Sequence, residues 1–195
     1  MKQRGYTLVE LLMAITIFAI GVTGVIAMQK VTVVANQHAR ELAVATHIGQ
    51  AWQEQLATDA IAWNHPSPKV AAQDIGDTNW LVNVTGNAGN WFRPAYRDAM
   101  KFGPSFDTLG NVVAEANVAQ AHYCTHIRLG WLYPDTAGNG LLRAEVRVFW
   151  PREGQAGALG AGVCDPNVQP AAIDAASERY HFIHQVTAIK QNTAL

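Results

Sequence analysis

From Leu11 to Met28 the chain carries no ionisable side chain, and nearly every residue is apolar. As a helix this run spans about 27 Å, close to the hydrocarbon thickness of a bilayer. One acid, Glu10, stands at its head, and a carboxylate there is costly unless a positive partner meets it. Lys2 and Arg4 come first, which by the positive-inside rule leaves the N-terminus in the cytoplasm and sends everything after Met28 across the membrane. The chain therefore reads as an N-terminal anchor carrying an exported body.

The residues ahead of the run have a specific order: two cations, Gly5, the aromatic Tyr6, then Thr7-Leu8-Val9-Glu10. This order resembles the class III signal of type IV pilins and type II secretion pseudopilins. The resemblance implies that a prepilin peptidase cuts between Gly5 and Tyr6 on the cytoplasmic side and methylates the new amine of Tyr6. It further implies that Glu10 pairs, on assembly, with the N-terminal amine of a neighbouring subunit. Tyr6 stands where the family usually has phenylalanine, and Ala27 where it often has a helix-kinking proline. Gly21 and Gly24 could loosen the helix by up to ~1 kcal/mol each, and small residues also permit close helix approach. An ordinary secretory signal with Val25-Ile26-Ala27 at its cleavage site and a plain uncleaved anchor are competing readings. Neither accounts for a glycine, an aromatic and a glutamate in this order.

The 195 residues suffice for one domain of ordinary size plus a long helix. The formal charge is −1, and loss of residues 1–5 would remove two cations and make it more negative. That balance gives no electrostatic reason to expect nucleic acid as a general partner. Cys124 and Cys164, the two cysteines, suit a single disulfide in an oxidising compartment such as a periplasm. Closing a loop of about 41 residues would stabilise the fold by roughly 4 kcal/mol on the chain-entropy model.

Beyond the anchor the helix continues. Val31, Val34, His38, Leu42, Ala45, Ile48, Trp52, Leu56 and Ala60 recur every three or four residues and form one stripe, on which His38 reads as a core or interfacial side chain. Asn64-His65-Pro66-Ser67-Pro68 ends it, because two prolines in three residues cannot continue a helix. A short strand over Trp80–Thr85 and a short helix over residues 111–121 are expected in the stretch that follows. Cys124–Leu132 reads as a strand. Leu142, Ala144, Val146, Val148 and Trp150 alternate with Arg143, Glu145, Arg147 and Phe149, the pattern of a strand with one buried face. Tyr180–Ile189 is another strand, and the Gly- and Ala-rich stretch from Pro151 to Glu178 reads as an exposed loop holding Cys164.

The resulting fold class is α+β: a type IV pilin-like fold with a long N-terminal helix packed on a C-terminal antiparallel sheet. Its parts are a leader (1–5), a transmembrane or filament-core half-helix (6–28), an amphipathic half-helix (29–62) and a β-rich head (63–195). Ala19–Gln29 and the Val146–Trp150 strand followed by a late strand are similar to PilV-type minor pilins. That resemblance implies a minor pilin, a structural and assembly subunit held in the inner membrane before assembly and in the pilus, periplasm or cell surface afterwards. The partners it implies are prepilin peptidase, other major and minor pilins and an inner-membrane assembly platform. A type II secretion minor pseudopilin, a DNA-binding or adhesive pilin and a membrane-anchored periplasmic protein are the alternatives.

His122-x-Cys124-x-His126 could present three zinc ligands of two types on one strand face, but Cys124 cannot be both a thiolate ligand and a disulfide partner, so no metal is assigned. Arg128, Arg143 and Arg147 with Trp80, Trp91, Trp131 and Trp150 could make a stacking surface for nucleic acid, although core tryptophans and a solvated arginine face are the simpler reading. No nucleophile elbow or phosphate loop occurs, so neither an enzyme nor a cofactor is expected.

Overall fold

The computed structural model describes residues 7–135, 138–152 and 162–193. One helix, α1 (Leu8–Asp59), runs through the boundary between two units, residues 1–41 and 42–195. It begins where Thr7 Oγ1 accepts the backbone N–H of Glu10 at 3.3 Å, the role of an N-cap side chain. In the first unit every described residue up to Arg40 is exposed, including Leu8, Phe18, Ile20 and Met28, each more than 70 % exposed.

In the second unit the same helix changes character. Ala45, Ile48, Gly49, Trp52, Leu56 and Asp59 are buried, and their spacing of three or four residues makes a single helical face. The stripe read from the sequence is thus covered from Ala45 onward, whereas Val31, Val34, His38 and Leu42 are exposed. Of the two placements expected for His38, core or interfacial, the core one is excluded within this chain. Gly49 gives room for Gln185: a Cβ there would lie 2.8 Å from the end of that side chain, whose amide donates to the Thr46 carbonyl at 3.2 Å, and would displace it.

The head is an antiparallel sheet. Strand β4 (Tyr123–Tyr133) pairs with β5 (Leu141–Pro151), and β5 with β6 (Tyr180–Lys190). Two short strands, β2 (Trp91–Phe92) and β3 (Ser105–Phe106), share the other edge of β4. A separate parallel pair, β1 (Asn64–His65) with β7 (Asn192–Thr193), ties the chain just after the helix to its C-terminal end. Short α-helices α2 (Val84–Asn87) and α3 (Pro170–Ala175) lie between strands, along with several 3-10 segments.

The inner sheet face carries Ile127, Leu129, Leu142, Ala144, Val146, Val148, Trp150 and Ile189, which form one core with Ile48, Trp52 and Leu56 of α1. Trp52 lies edge-on to Trp80 at 5.4 Å and to Phe102 at 4.7 Å, the geometry that aromatic quadrupoles favour.

Three expectations are corrected here. Trp80–Thr85 is not a strand: it forms a 3-10 turn, Leu81–Asn83, leading into α2. The helix expected within 111–121 is a 3-10 segment, Glu115–Gln120, with a kink at Asn117. Strand β5 is buried on both faces, since Glu145, Arg147 and Phe149 are buried along with their apolar neighbours. Strict alternation signals one wet face only when nothing lies over the other. Here the segment after residue 162, with α3, lies across it: Cys164, Ile173 and Tyr180 pack with Cys124 and Phe149 in a second apolar cluster.

Candidate functional site

The sequence singled out the N-terminus, and its first residues, Gly5 and Tyr6, fall outside the described residues. Glu10 is exposed in the first turn of α1 and makes no ion pair among the described residues. The run behind it is the one helix among the described residues that is long and apolar enough to cross a membrane. Its threonines do not spoil that character. Thr16 and Thr23 donate their hydroxyls to the carbonyls of Met13 and Ile20, both at 2.8 Å, and Thr32 to that of Met28 at 3.0 Å. Each polar group is satisfied within the helix, as an apolar surrounding demands. A Cβ at Gly21 or Gly24 would meet nothing within 4 Å, so packing within the chain requires neither glycine.

The other end of α1 contains a device that sequence reasoning missed. Asp59 is buried, and its carboxylate accepts the backbone N–H groups of Asn79 (2.7 Å), Trp80 (2.8 Å) and Leu81 (3.1 Å). The Asn79 side-chain amide adds a fourth bond at 3.1 Å. One carboxylate therefore fixes the end of the helix to the segment that carries Trp80. An acid in the last turn of a helix is ordinarily unfavourable, and that mismatch was the available signal.

On the outer face of the sheet, Cys124 and Cys164 are joined by a disulfide with a Cα–Cα distance of 5.0 Å. Cys124 is therefore no thiolate, and the zinc arrangement considered from sequence loses its central ligand. His126, two residues on, is 2 % exposed, and its Nδ1 lies 3.0 Å from Arg147 Nη2. Since a guanidinium only donates, Nδ1 is the acceptor and the ring is neutral. Burial, reinforced by the charges of Arg147 and Arg93, pushes the His126 pKa down to about 3. Arg147 is itself buried and ion-paired with Asp174 of α3; it also donates to the Pro170 carbonyl at 3.4 Å. Arg93 donates to the Cys164 carbonyl at 3.1 Å and to Glu115 at 2.8 Å. The disulfide and these two arginines hold the segment after residue 162 on the sheet.

The sheet does bring Arg128, Arg143 and Arg147 to one face, as the nucleic-acid reading required. Of the four tryptophans in that reading, however, only Trp91 joins them. Trp80 and Trp150 are core residues, and Trp131 stacks edge-on with Trp63 at 5.7 Å. The Trp91 ring is taken up by the guanidiniums of Arg128 (4.8 Å) and Arg147 (4.5 Å).

Residues 1–26 match the family model of the prokaryotic N-terminal methylation motif. At its N-terminus the chain is thus type IV pilin-like. No curated protein and no solved structure matches the chain. The motif implies processing by a prepilin peptidase and assembly with other pilins, and with the apolar helix behind it is consistent with membrane anchoring before assembly. Its match ends within the exposed part of α1, so the head stands on its own geometry.

Proposed function

We propose that this chain is a minor pilin of the PilV type: a structural and assembly subunit of a type IV pilus and not an enzyme. The observation that carries this reading is the methylation motif at the head of an apolar half-helix in which every residue from Leu11 to Met28 is exposed. Prepilin peptidase cuts between Gly5 and Tyr6 and methylates the Tyr6 amine, while the precursor sits in the inner membrane with its N-terminus in the cytoplasm. An inner-membrane platform then passes the subunit into the filament. Burial of Leu11–Met28 among neighbouring helices supplies most of the association free energy. Glu10 sets the axial register, because an unpaired carboxylate in an apolar bundle costs several kcal/mol and the amine of an adjacent Tyr6 removes that cost. Gly21 and Gly24, which no contact within the chain requires, let a neighbouring helix approach closely.

Two variants separate processing from assembly. Glu10→Ala should be cleaved normally, with mass spectrometry finding Tyr6 at the new N-terminus. Its recovery in sheared pilus fractions should nevertheless fall about tenfold or more, the scale of losing a buried ion pair. Gly5→Val should remain uncut in the membrane. Wild-type recovery of Glu10→Ala, or a mature chain that begins anywhere but Tyr6, would overturn the proposal.

A further inference from the structure

The segment after residue 162 does not cover the whole outer face of the sheet. One row across that face runs Trp91, Arg128, Glu145, Val186, and the next runs Gly130, Arg143, Ala188. In the second row Gly130 has no side chain to fill the space above β4. The result is an open hollow of about 410 Å³ over Gly130, edged by Leu132 and walled by Arg128, Arg143 and Glu145. A Cβ at Gly130 would meet nothing within 4 Å. Gly130 is thus dispensable to the packing, yet it keeps the hollow empty.

The charges around it do not balance. Among the described residues Arg147 is matched by Asp174 and Arg93 by Glu115, but Arg128 and Arg143 share the single carboxylate of Glu145. Glu145 holds Arg143 through Nε at 3.1 Å, leaving that guanidinium's outer edge toward the half-exposed side. Arg128 is held against Trp91, so it loses little freedom on meeting a ligand. One surplus positive charge in a prearranged guanidinium pair suits one carboxylate, which a planar guanidinium binds through paired hydrogen bonds. Leu132, 49 % exposed, gives the rim an aliphatic side. Nucleic acid fits less well, since it needs several cations tracking its phosphates and free stacking faces, and Trp91 already stacks on arginine.

We infer that this hollow is a docking site for an acidic polypeptide segment, taking one glutamate or aspartate carboxylate between Arg128 and Arg143 with an aliphatic neighbour against Leu132. The inference is independent of how the N-terminus is processed. It is tested on the full chain in detergent micelles by titrating acetyl-Leu-Glu-Leu-amide and following the Gly130 and Arg143 backbone amides by NMR. Saturable shifts are expected, with affinity about tenfold weaker for the glutamine analogue, the scale of one charge-assisted hydrogen bond. Gly130→Val, which fills the hollow without altering charge, should abolish the shifts in a chain whose remaining spectrum is intact. Arg143→Gln should weaken binding about tenfold. Equal binding of the two peptides, no saturable shift, binding that survives Gly130→Val, or tighter binding of a short DNA duplex through the same amides would overturn it.

Discussion

The two ends of α1 are built from similar apolar residues and meet opposite fates. Phe18 and Ile20 are 72 % and 73 % exposed, whereas Ile48 and Trp52 are at most 1 % exposed. Helix formation alone therefore decides nothing about burial. The distal end finds its partner within the chain, in the inner face of β4, β5 and β6. The proximal end has apolar side chains on all sides, more than one neighbouring face can cover, and so suits a surrounding of lipid or of several other helices. The difference separates what the head needs in order to fold from what the N-terminus needs in order to work.

Substitutions on the two sides should break or sharpen this contrast. Trp52→Ala should cost the head about 3–5 kcal/mol, the scale of truncating a fully buried aromatic, read from the denaturation midpoint of the chain in detergent. Asp59→Ala comes next, at about 3 kcal/mol, because three backbone N–H groups lose their acceptor inside the protein. Loss of less than about 1 kcal/mol would mean that the end of the helix is held by packing alone. Phe18→Ala, on the exposed end, should leave head stability within about 0.5 kcal/mol.

A smaller, pH-dependent effect belongs to His126. Its pKa is depressed to about 3 in the folded head, against about 6.5 in an unfolded chain. Between these values the unfolded chain binds a proton that the folded one refuses, so stability is lost as pH falls through that window. The slope approaches about 1.4 kcal/mol per pH unit at most. Arg147, Arg93 and Phe149 face the ring, and the first two raise the cost of charging it. His126→Gln keeps an acceptor for Arg147 without titrating, and should flatten the acid limb of the stability curve measured from pH 7 to pH 4. An unchanged slope would assign the acid sensitivity to other groups, such as His184, whose pKa burial also lowers.

Much of the architecture was legible because it rests on periodicity. The 3.6-residue stripe through Ala45, Ile48, Trp52 and Leu56 and the alternation of Leu142 to Trp150 each report a face that must be covered, and both located their elements correctly. The pairing of Cys124 with Cys164 was legible because the chain has just two cysteines. The failures lie where a partner remote in sequence decides the outcome. Trp80–Thr85 has strand-forming residues, but the Asp59 carboxylate draws the N–H groups of Asn79, Trp80 and Leu81 into a turn. His38 lies on the stripe, yet burial starts only at Ala45. Arg147 reads as a solvated charge on a strand face, yet it is buried because Asp174 and Pro170 close over it.

The sequence by itself determined the N-terminal pattern: the motif through residue 26, the lone Glu10 and the uncharged run from Leu11 to Met28 are local in order and are read without a fold. It also determined the helix and the main strands, since hydrophobic periodicity is a local record of burial. Only the tertiary structure decided which polar groups are paired and which space is left open. Asp59 under its three amides, His126 held neutral by burial beside Arg147 and the hollow over Gly130 each depend on residues far apart in the chain. Pairing and void are properties of distance in space, which a linear order does not specify.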